Sequence, residues 1–589
     1  MSNTHSRKNR PYHFYDTTSS ICTTCLYPVE AKILFKNNHV YMDKWCPAHG
    51  TERVLIMDDA DYYRKCRELY VKAPEMPDHF AMPMQYGCPY DCGLCPDHMQ
   101  HSCLCIVEIT DVCNLDCPVC FADSGTSREQ KLPHLPYRHK SLDTVKALLD
   151  TVVKSEGEPD VVQLSGGEPT LHPQLFEILD YIKTLPIRHI MINTNGIRIA
   201  REPDFVARLA EYAYNCPTIT GEKQGIEIYL QFDSLKDERI HALRGANLAK
   251  LHEDALANLE KYNLSTTLVA TIKKGLNDDE FGDIIQHASS FRCVRGVSFQ
   301  PLSEAGRVEF KPKNSEGVTN NPFALNQSRG NTENTYTENE QDLEDDTIIS
   351  QEKHHAKNRL TLSEIRRKIA EQSGIFTLDD IVPVPCNPDT LAMGYAFKLN
   401  ANTADEKNLL TPLTRYLTPD MIMAGGENTI LFEQNPTLEQ TIIQDVRNQI
   451  LLKNPDNSAN PNLARQSLIK VLSTNHSPES QANCLAELLC CLPKIDAPHL
   501  SYDNVFRVMV VQFMDAQNLD IRSLKKSCIH FAHLDKDGKG KMVPFESFNI
   551  LYRDDRAEKL REIRGVLAKG FEARKAKADK IAVSNLNSQ

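Results

Sequence analysis

The chain has 589 residues, 41% hydrophobic and 25% charged, with a net charge of −12. That length exceeds one hydrophobic core and predicts about two to four domains. The acidic balance argues against nucleic acid as a partner, which needs a basic face. No apolar run of about 18 residues and no signal-peptide core are present, so a cytoplasmic protein without a membrane span is expected.

Residues 1–20 read as a polar tail. The chain holds nineteen cysteines. In a reducing compartment they point to metal binding or catalysis rather than disulfides. Twelve of them fall between Cys22 and Cys120, which marks a metal-binding block. Residues 21–75 combine Cys22-Thr-Thr-Cys25, a strand pair over Ala31 to Met42, and Cys46-Pro-Ala-His49. A CxxC knuckle, a strand pair and a second ligand pair predict a zinc-ribbon or rubredoxin-like site holding zinc or iron. Its ligands are Cys22, Cys25, Cys46 and His49, with Cys66 the rival for the fourth position.

Residues 76–103 carry Cys88-Pro-Tyr-Asp-Cys92-Gly-Leu-Cys95, followed by Cys103 and Cys105. With a fourth thiolate close by, a closed auxiliary [4Fe–4S] cluster on Cys88, Cys92, Cys95 and Cys103 is expected. Cys105 packs in the core. A second CxxxCxxC run, Cys113 to Cys120 followed by Phe121, supplies three thiolates and stops. One iron of a [4Fe–4S] cluster there stays open to another ligand. A zinc loop is the plainer alternative.

From residue 104 to 310 strands alternate with helices. Strand-like runs are 104–110, 161–165, 189–194, 226–232, 266–271 and 297–300. Helix-like runs are 141–155, 174–185, 204–213, 248–262 and 279–289. The pattern predicts an α/β fold, a parallel barrel or open sheet, with its ligand beyond the C-terminal ends of the strands. The motifs fall there. Ser165-Gly166-Gly167-Glu168-Pro169 follows the second strand, its glycines permitting close backbone approach and Glu168 able to hold an ammonium group. Asn193-Thr194-Asn195-Gly196 ends the third strand, Gln231-Phe232-Asp233 the fourth, and Gln300-Pro301 the sixth; Arg244 follows the fourth.

Residues 314–350 contain seven Asn and eight acidic residues against one Arg, so 311–358 reads as a disordered insertion. Residues 359–552 read as a C-terminal α+β domain, with Cys386 among prolines and Cys528 before a strand. Asp535 to Glu546 imitates a calcium loop, but Lys539 stands where an oxygen ligand is needed, and a hairpin turn is expected instead. Residues 553–589 read as a basic amphipathic helix and tail, with ten Lys/Arg against six acids over 553–580. That composition suggests docking on the protein itself, or peripheral contact with an anionic membrane surface.

The Cys-rich ribbon, the CPYDCGLC block, VCNLDCPVCF, SGGEPTLHP, NTNG and the C-terminal Phe-Met-Asp, Cys-Ile-His and Pro-Phe elements resemble the radical S-adenosylmethionine (radical SAM) superfamily. Within it they resemble the group of archaeal tetraether lipid synthases and proteins described as hydroxymethylpterin methyltransferases. The resemblance implies a partial (β/α)6 barrel and a cluster on Cys113, Cys117 and Cys120 whose open iron binds SAM. It implies that Phe121, Gly166, Gly167, Glu168, Asn195, Gln231, Asp233 and Gln300 line the cofactor, with Arg244 pairing the cofactor carboxylate or capping a helix. Cys386 and Cys528 are further candidate ligands, Cys386 a distant one for the auxiliary cluster; archaeal members of the group carry a further cluster near the C-terminus, where this chain has Glu546 at a position expected to hold a ligand. The implied activity is reductive SAM cleavage and hydrogen abstraction, with electrons from a donor such as flavodoxin or ferredoxin. Carbon–carbon bond formation on lipid chains stands first, and carbon methylation of a pterin-like small molecule is the alternative. A non-catalytic iron–sulfur carrier or scaffold is the reading from a different class.

Overall fold

The computed structural model describes residues 9–70, 73–126, 138–212, 216–217, 223–307, 346–399, 409–412, 414, 419 and 505–553. The chain opens with a four-stranded antiparallel meander: β1 His13–Ile21, β2 Pro28–Lys36, β3 His39–Cys46 and β4 Gly50–Met57. Asn37 and Asn38, both at positive φ, make the two-residue turn between β2 and β3. Asn tolerates that left-handed conformation, which matches the twist of a hairpin. β1 corrects the expected tail. Its Thr17 and Ser19 are polar, but ladder bonds are made by backbone and need no apolar side chain. Ser20 and Thr18 also donate to the Leu519 carbonyl and to Asp520, both at 2.6 Å.

The main sheet begins with β5 Leu104–Thr110, β6 Val161–Gly166 and β7 His189–Thr194. A small hairpin, β8 Cys216–Pro217 with β9 Lys223–Gln224, precedes β10 Ile226–Gln231, β11 Thr266–Ile272 and β12 Val294–Pro301. β5, β6, β7, β10, β11 and β12 lie side by side in parallel. Helices Leu142–Glu156, Leu175–Ile182, Pro203–Ala210, Ala249–Lys261 and Phe281–Ser290 join them. Each helix buries one stripe. In the first, Ser141 caps the N-terminus and Val145, Leu148, Leu149 and Val152 recur at helical spacing against the sheet. This is the expected partial barrel.

The C-terminal residues do not form a separate unit. β13 Val382–Pro383, β14 Leu391–Leu399, β15 Leu409–Pro412, β16 Val505–Val511, β17 Ile529–Leu534 and β18 Gly540–Pro544 all join the same sheet. β16 runs parallel to β12, and β17 runs parallel to β5. The parallel core is therefore β17-β5-β6-β7-β10-β11-β12-β16, with antiparallel β18 and β14 flanking it and the ends left open. The helix Asp346–Asn358 corrects the end of the expected insertion. Its Glu352 accepts from Arg53 at 2.6 Å and Lys36 at 2.8 Å on the meander, and these partners anchor an otherwise polar segment. Residues 308–345, 554–589 and Cys484, Cys490 and Cys491 lie outside the described residues. Among the described residues no helix is long and apolar enough to cross a membrane.

Candidate active site and metal centres

A cavity of about 1240 Å³ opens at the C-terminal ends of the parallel strands. Cys113, Cys117, Cys120 and Phe121 line it together with Gly166, Gly167, Glu168, Asn195, Gln231, Arg244 and Gln300. Burial pushes the thiols of Cys113 and Cys117 up, and Arg244 beside Cys117 opposes it. The donor set suits an iron–sulfur cluster: three thiols, no fourth cysteine among the described residues of the cavity wall, and a guanidinium to offset thiolate charge.

The rim is built by backbone contact. Gly166, at φ +121, and Gly167 pass so close to the carbonyls of Thr110 and Val112 that a Cβ at either would collide with them. Glu168 is buried, and its carboxylate is committed to the protein. It accepts from the Thr170 amide at 3.0 Å, the Thr170 hydroxyl at 2.6 Å, the Thr194 hydroxyl at 2.8 Å and the Asn195 amide at 2.8 Å. Burial raises its pKa against those donors. Asn195 donates to Asn114 of the cysteine loop at 2.7 Å. Arg244 grips Asp233 through two bonds of 2.6 and 2.8 Å and reaches Thr271 at 2.8 Å. Gln231 donates to the same aspartate at 2.7 Å, and Gln300 donates to the Tyr229 hydroxyl at 3.1 Å. Arg244 therefore sits on an aspartate rather than capping a helix.

Sequence reasoning singled out Phe121 and the Phe-Met-Asp and Pro-Phe elements, but not the wall they build together. Phe513 and Phe545 stack with ring centroids 3.7 Å apart, and Phe121 meets both edge-on, at 5.6 and 5.2 Å. Arg553 pairs with Glu108 at 2.8 Å and packs its guanidinium over Phe548. Glu108 lies far from Phe548 and Arg553 in sequence, and none of the three carries a motif. A second cavity of about 520 Å³ lies deeper in the barrel and shares Leu104, Gln163, Tyr229 and Met509 with the first. Its polar floor is Glu227, which accepts from Arg507 at 3.1 Å and meets His189 at 2.9 Å. The only sequence signal for Gln163 and Glu227 was a polar residue inside an apolar strand.

The structure gathers the other cysteines into three groups. In the ribbon, the ligand atoms of Cys22, Cys25, Cys46 and His49 all lie within 4.8 Å of one another. His49 Nδ1 is 3.4 Å from both Cys22 and Cys46 sulfurs. Tetrahedral zinc or iron fits that spacing. Cys66 is buried in the core, where desolvation pushes its thiol up to about 12.

The second group is Cys88 and Cys92, hydrogen-bonded to each other, with Cys95 beside them. Cys103 does not complete this group, which corrects the expected four-cysteine cluster. It turns to Cys386 and Cys528, forming a third, fully buried cluster of thiols. The Cys386 and Cys528 sulfurs are 3.3 Å apart. Burial disfavours the Cys103 thiolate, but the two neighbouring thiols and His101 outweigh it and hold the group well below the ordinary thiol range. The reason is topological. Cys103 directly precedes β5, which pairs with β17, and Cys528 directly precedes β17, so the strand pairing brings the two cysteines together. Cys105 is buried and bonds Ser102 at 3.2 Å. The segment from Asp535 is the turn of the β17–β18 hairpin, with Asp535 accepting from the Lys539 amide at 2.8 Å.

Comparison with known proteins agrees with this geometry. Residues 107–288 match the model of the radical SAM superfamily, and residues 14–58 match the HMPTM N-terminal zinc ribbon domain. The chain is 26% identical over 566 residues to a 7,8-dihydro-6-hydroxymethylpterin dimethyltransferase of Methanocaldococcus jannaschii, spanning 92% of this chain and 95% of that protein. It is 28% identical to a GTP 3',8-cyclase of Alkaliphilus oremlandii over 34% of this chain and 57% of the relative. The solved structure of Streptococcus suis SuiB bound to S-adenosylmethionine aligns at 16% identity and a TM-score of 0.29, over 36% of this chain and 43% of SuiB, a similarity that carries no argument about activity. The cysteine loop and the glycine rim at the strand ends lie within the stretch that matches the radical SAM superfamily, which implies a [4Fe–4S] cluster and S-adenosylmethionine there, and the ribbon in front of the barrel lies within the stretch that matches the zinc ribbon domain.

Proposed function

We propose that this radical SAM enzyme is a methyltransferase acting at carbon on a pterin-like heterocycle. The observation that carries the reading is the similarity to the pterin dimethyltransferase, which runs over 92% of this chain rather than the barrel alone. The lining of the cavity supports it. Gln163 puts an amide with no described protein partner into the wall, where an alkyl chain would leave its hydrogen bonds unmade. Joining lipid chains, the first expectation from sequence, has no such support.

When bound, the cluster and SAM supply a one-electron cleavage whose radical takes hydrogen from an unactivated C–H bond. In this reading Cys113, Cys117 and Cys120 hold the cluster and leave one iron for the cofactor. Glu168 fixes the rim by its four hydrogen bonds, and the Arg244–Asp233 pair holds positive charge against Cys117. The Phe121, Phe513 and Phe545 wall excludes water. A small electron-transfer protein of the flavodoxin or ferredoxin kind supplies the reductant.

The test uses anaerobically reconstituted full-length protein with SAM, a strong reductant and 6-hydroxymethyl-7,8-dihydropterin, with Cys117→Ala as control. Pterin-dependent 5′-deoxyadenosine and a methylated pterin by mass spectrometry are expected from wild type only. If 5′-deoxyadenosine forms but the pterin neither stimulates it nor changes mass, the substrate assignment is wrong.

A further inference from the structure

We infer that Gln163 is the specificity-determining residue of the substrate subsite. It reads the lactam edge of a planar heterocycle, an adjacent N–H and C=O, from the floor of the main cavity. The inference rests on the proposed pterin reading and deepens it.

Gln163 is the third residue of β6 and only 6% exposed. Successive strand residues face opposite sides, so Val161, Gln163 and Ser165 point into the barrel, while Val162 and Leu164 pack in the core. In register, Gln163 pairs with Ile106 and Met191, whose side chains give the amide no polar partner. No described protein group hydrogen-bonds it, in contrast to Gln231 and Gln300 in the same cavity. Its amide atoms reach the cavity rather than being sealed in the core, so a ligand there can bond them.

Position separates this amide from the cofactor. The rim that receives SAM is Gly166, Gly167 and Glu168, whereas Gln163 lies three residues deeper, about 10 Å below Gly166 along the strand. It is one of four residues shared by the two cavities. A carboxamide offers one acceptor and one donor group side by side. Its complement is a lactam edge, which presents one donor and one acceptor in the reverse order. An alkyl chain or a carboxylate cannot satisfy both. Tyr229 stands beside the same floor, so a flat ring entering from the rim is held by its edge below and by Phe513 and Phe545 at the mouth.

The experiment compares two probes, 6-hydroxymethyl-7,8-dihydropterin and its N3-methyl derivative, which loses the lactam N–H. Binding to reconstituted full-length protein with SAM is measured by anaerobic equilibrium dialysis for wild type, Gln163→Leu and Gln163→Met. SAM binding by each variant reports an intact rim. Wild type is expected to prefer the parent pterin by about ten- to hundredfold. Gln163→Leu is expected to bring the two probes within about threefold of each other, chiefly by weakening the parent. Gln163→Met, which keeps size but has neither N–H nor C=O, should weaken the parent similarly and serves if the Leu variant misfolds. An equal preference ratio in wild type and the variants overturns the Gln163 assignment and leaves the pterin reading standing. Failure of wild type to bind either probe while it binds SAM overturns both.

Discussion

Glu168 and Glu227 illustrate how two buried carboxylates in one barrel come to differ. Glu168 is ringed by neutral donors, so burial wins and its pKa rises. Glu227 is as deeply buried, yet the Arg507 guanidinium and His189 outweigh desolvation and hold it well below the usual carboxylate range. The sign follows from linkage. A carboxyl ionised more readily in the folded state contributes stability that is complete above its unfolded value of about 4.3 and is lost as pH falls toward the folded one. Wild type should therefore lose urea stability progressively below about pH 4. Glu227→Gln should be less stable at pH 7 by roughly 3 kcal/mol, because the half-buried Arg507 loses the carboxylate it pairs with, and should show a shallower acid limb. Unchanged acid limbs in the two proteins would remove Glu227 from the account.

At the scale of elements, the ribbon and the cysteine groups can be read out separately. The chain has a single tryptophan, Trp45, exposed on β3 beside the ligand Cys46. Metal removal by a chelator should therefore shift tryptophan emission while leaving iron–sulfur absorption in place, and Cys25→Ser should give the shifted emission from the start. Emission that ignores both changes would mean the ribbon holds its shape without metal. Cysteine grouping is tested by metal content. Cys103→Ser and Cys386→Ser should lower it by the same increment, and the double variant by no more than either alone. Cys88→Ser should remove a different increment that adds to theirs. Additive losses for Cys103 and Cys386 would restore Cys103 to the earlier loop.

For the whole molecule, the C-terminal residues extend the parallel core on both sides. β16 and β17 flank β12 and β5 as parallel neighbours, and Phe513 and Phe545 close the cavity. A second tie runs to the ribbon, where buried Lys44 donates to the carbonyls of Ala516 and Gln517 at 3.3 and 2.7 Å. A chain ending at residue 504 should fail to fold cooperatively, because it exposes both edges of a parallel core meant to be covered. Circular dichroism with limited proteolysis checks this. A protease-resistant fragment over residues 104–310 would show instead that the C-terminal part is an independent unit.

What sequence alone determined here is what local chemistry encodes. The alternation of six apolar strands with amphipathic helices, the glycine rim and the cysteine loop are short-range patterns, legible because hydrophobic period, turn residues and ligand spacing act within a few residues. The ribbon's CxxC and CxxH pairs were legible for the same reason. Tertiary structure decided everything that depends on strand order. It added β16 and β17 to the core and moved Cys103 from Cys88, Cys92 and Cys95 to Cys386 and Cys528. It turned β1 from tail into sheet by giving polar residues a backbone partner, and ordered 346–358 through Arg53 and Lys36. It also faced Gln163 into the lumen and Arg507 onto Glu227. Contacts between residues hundreds of positions apart leave no periodic trace in the chain. They exist only once a sheet has chosen its neighbours.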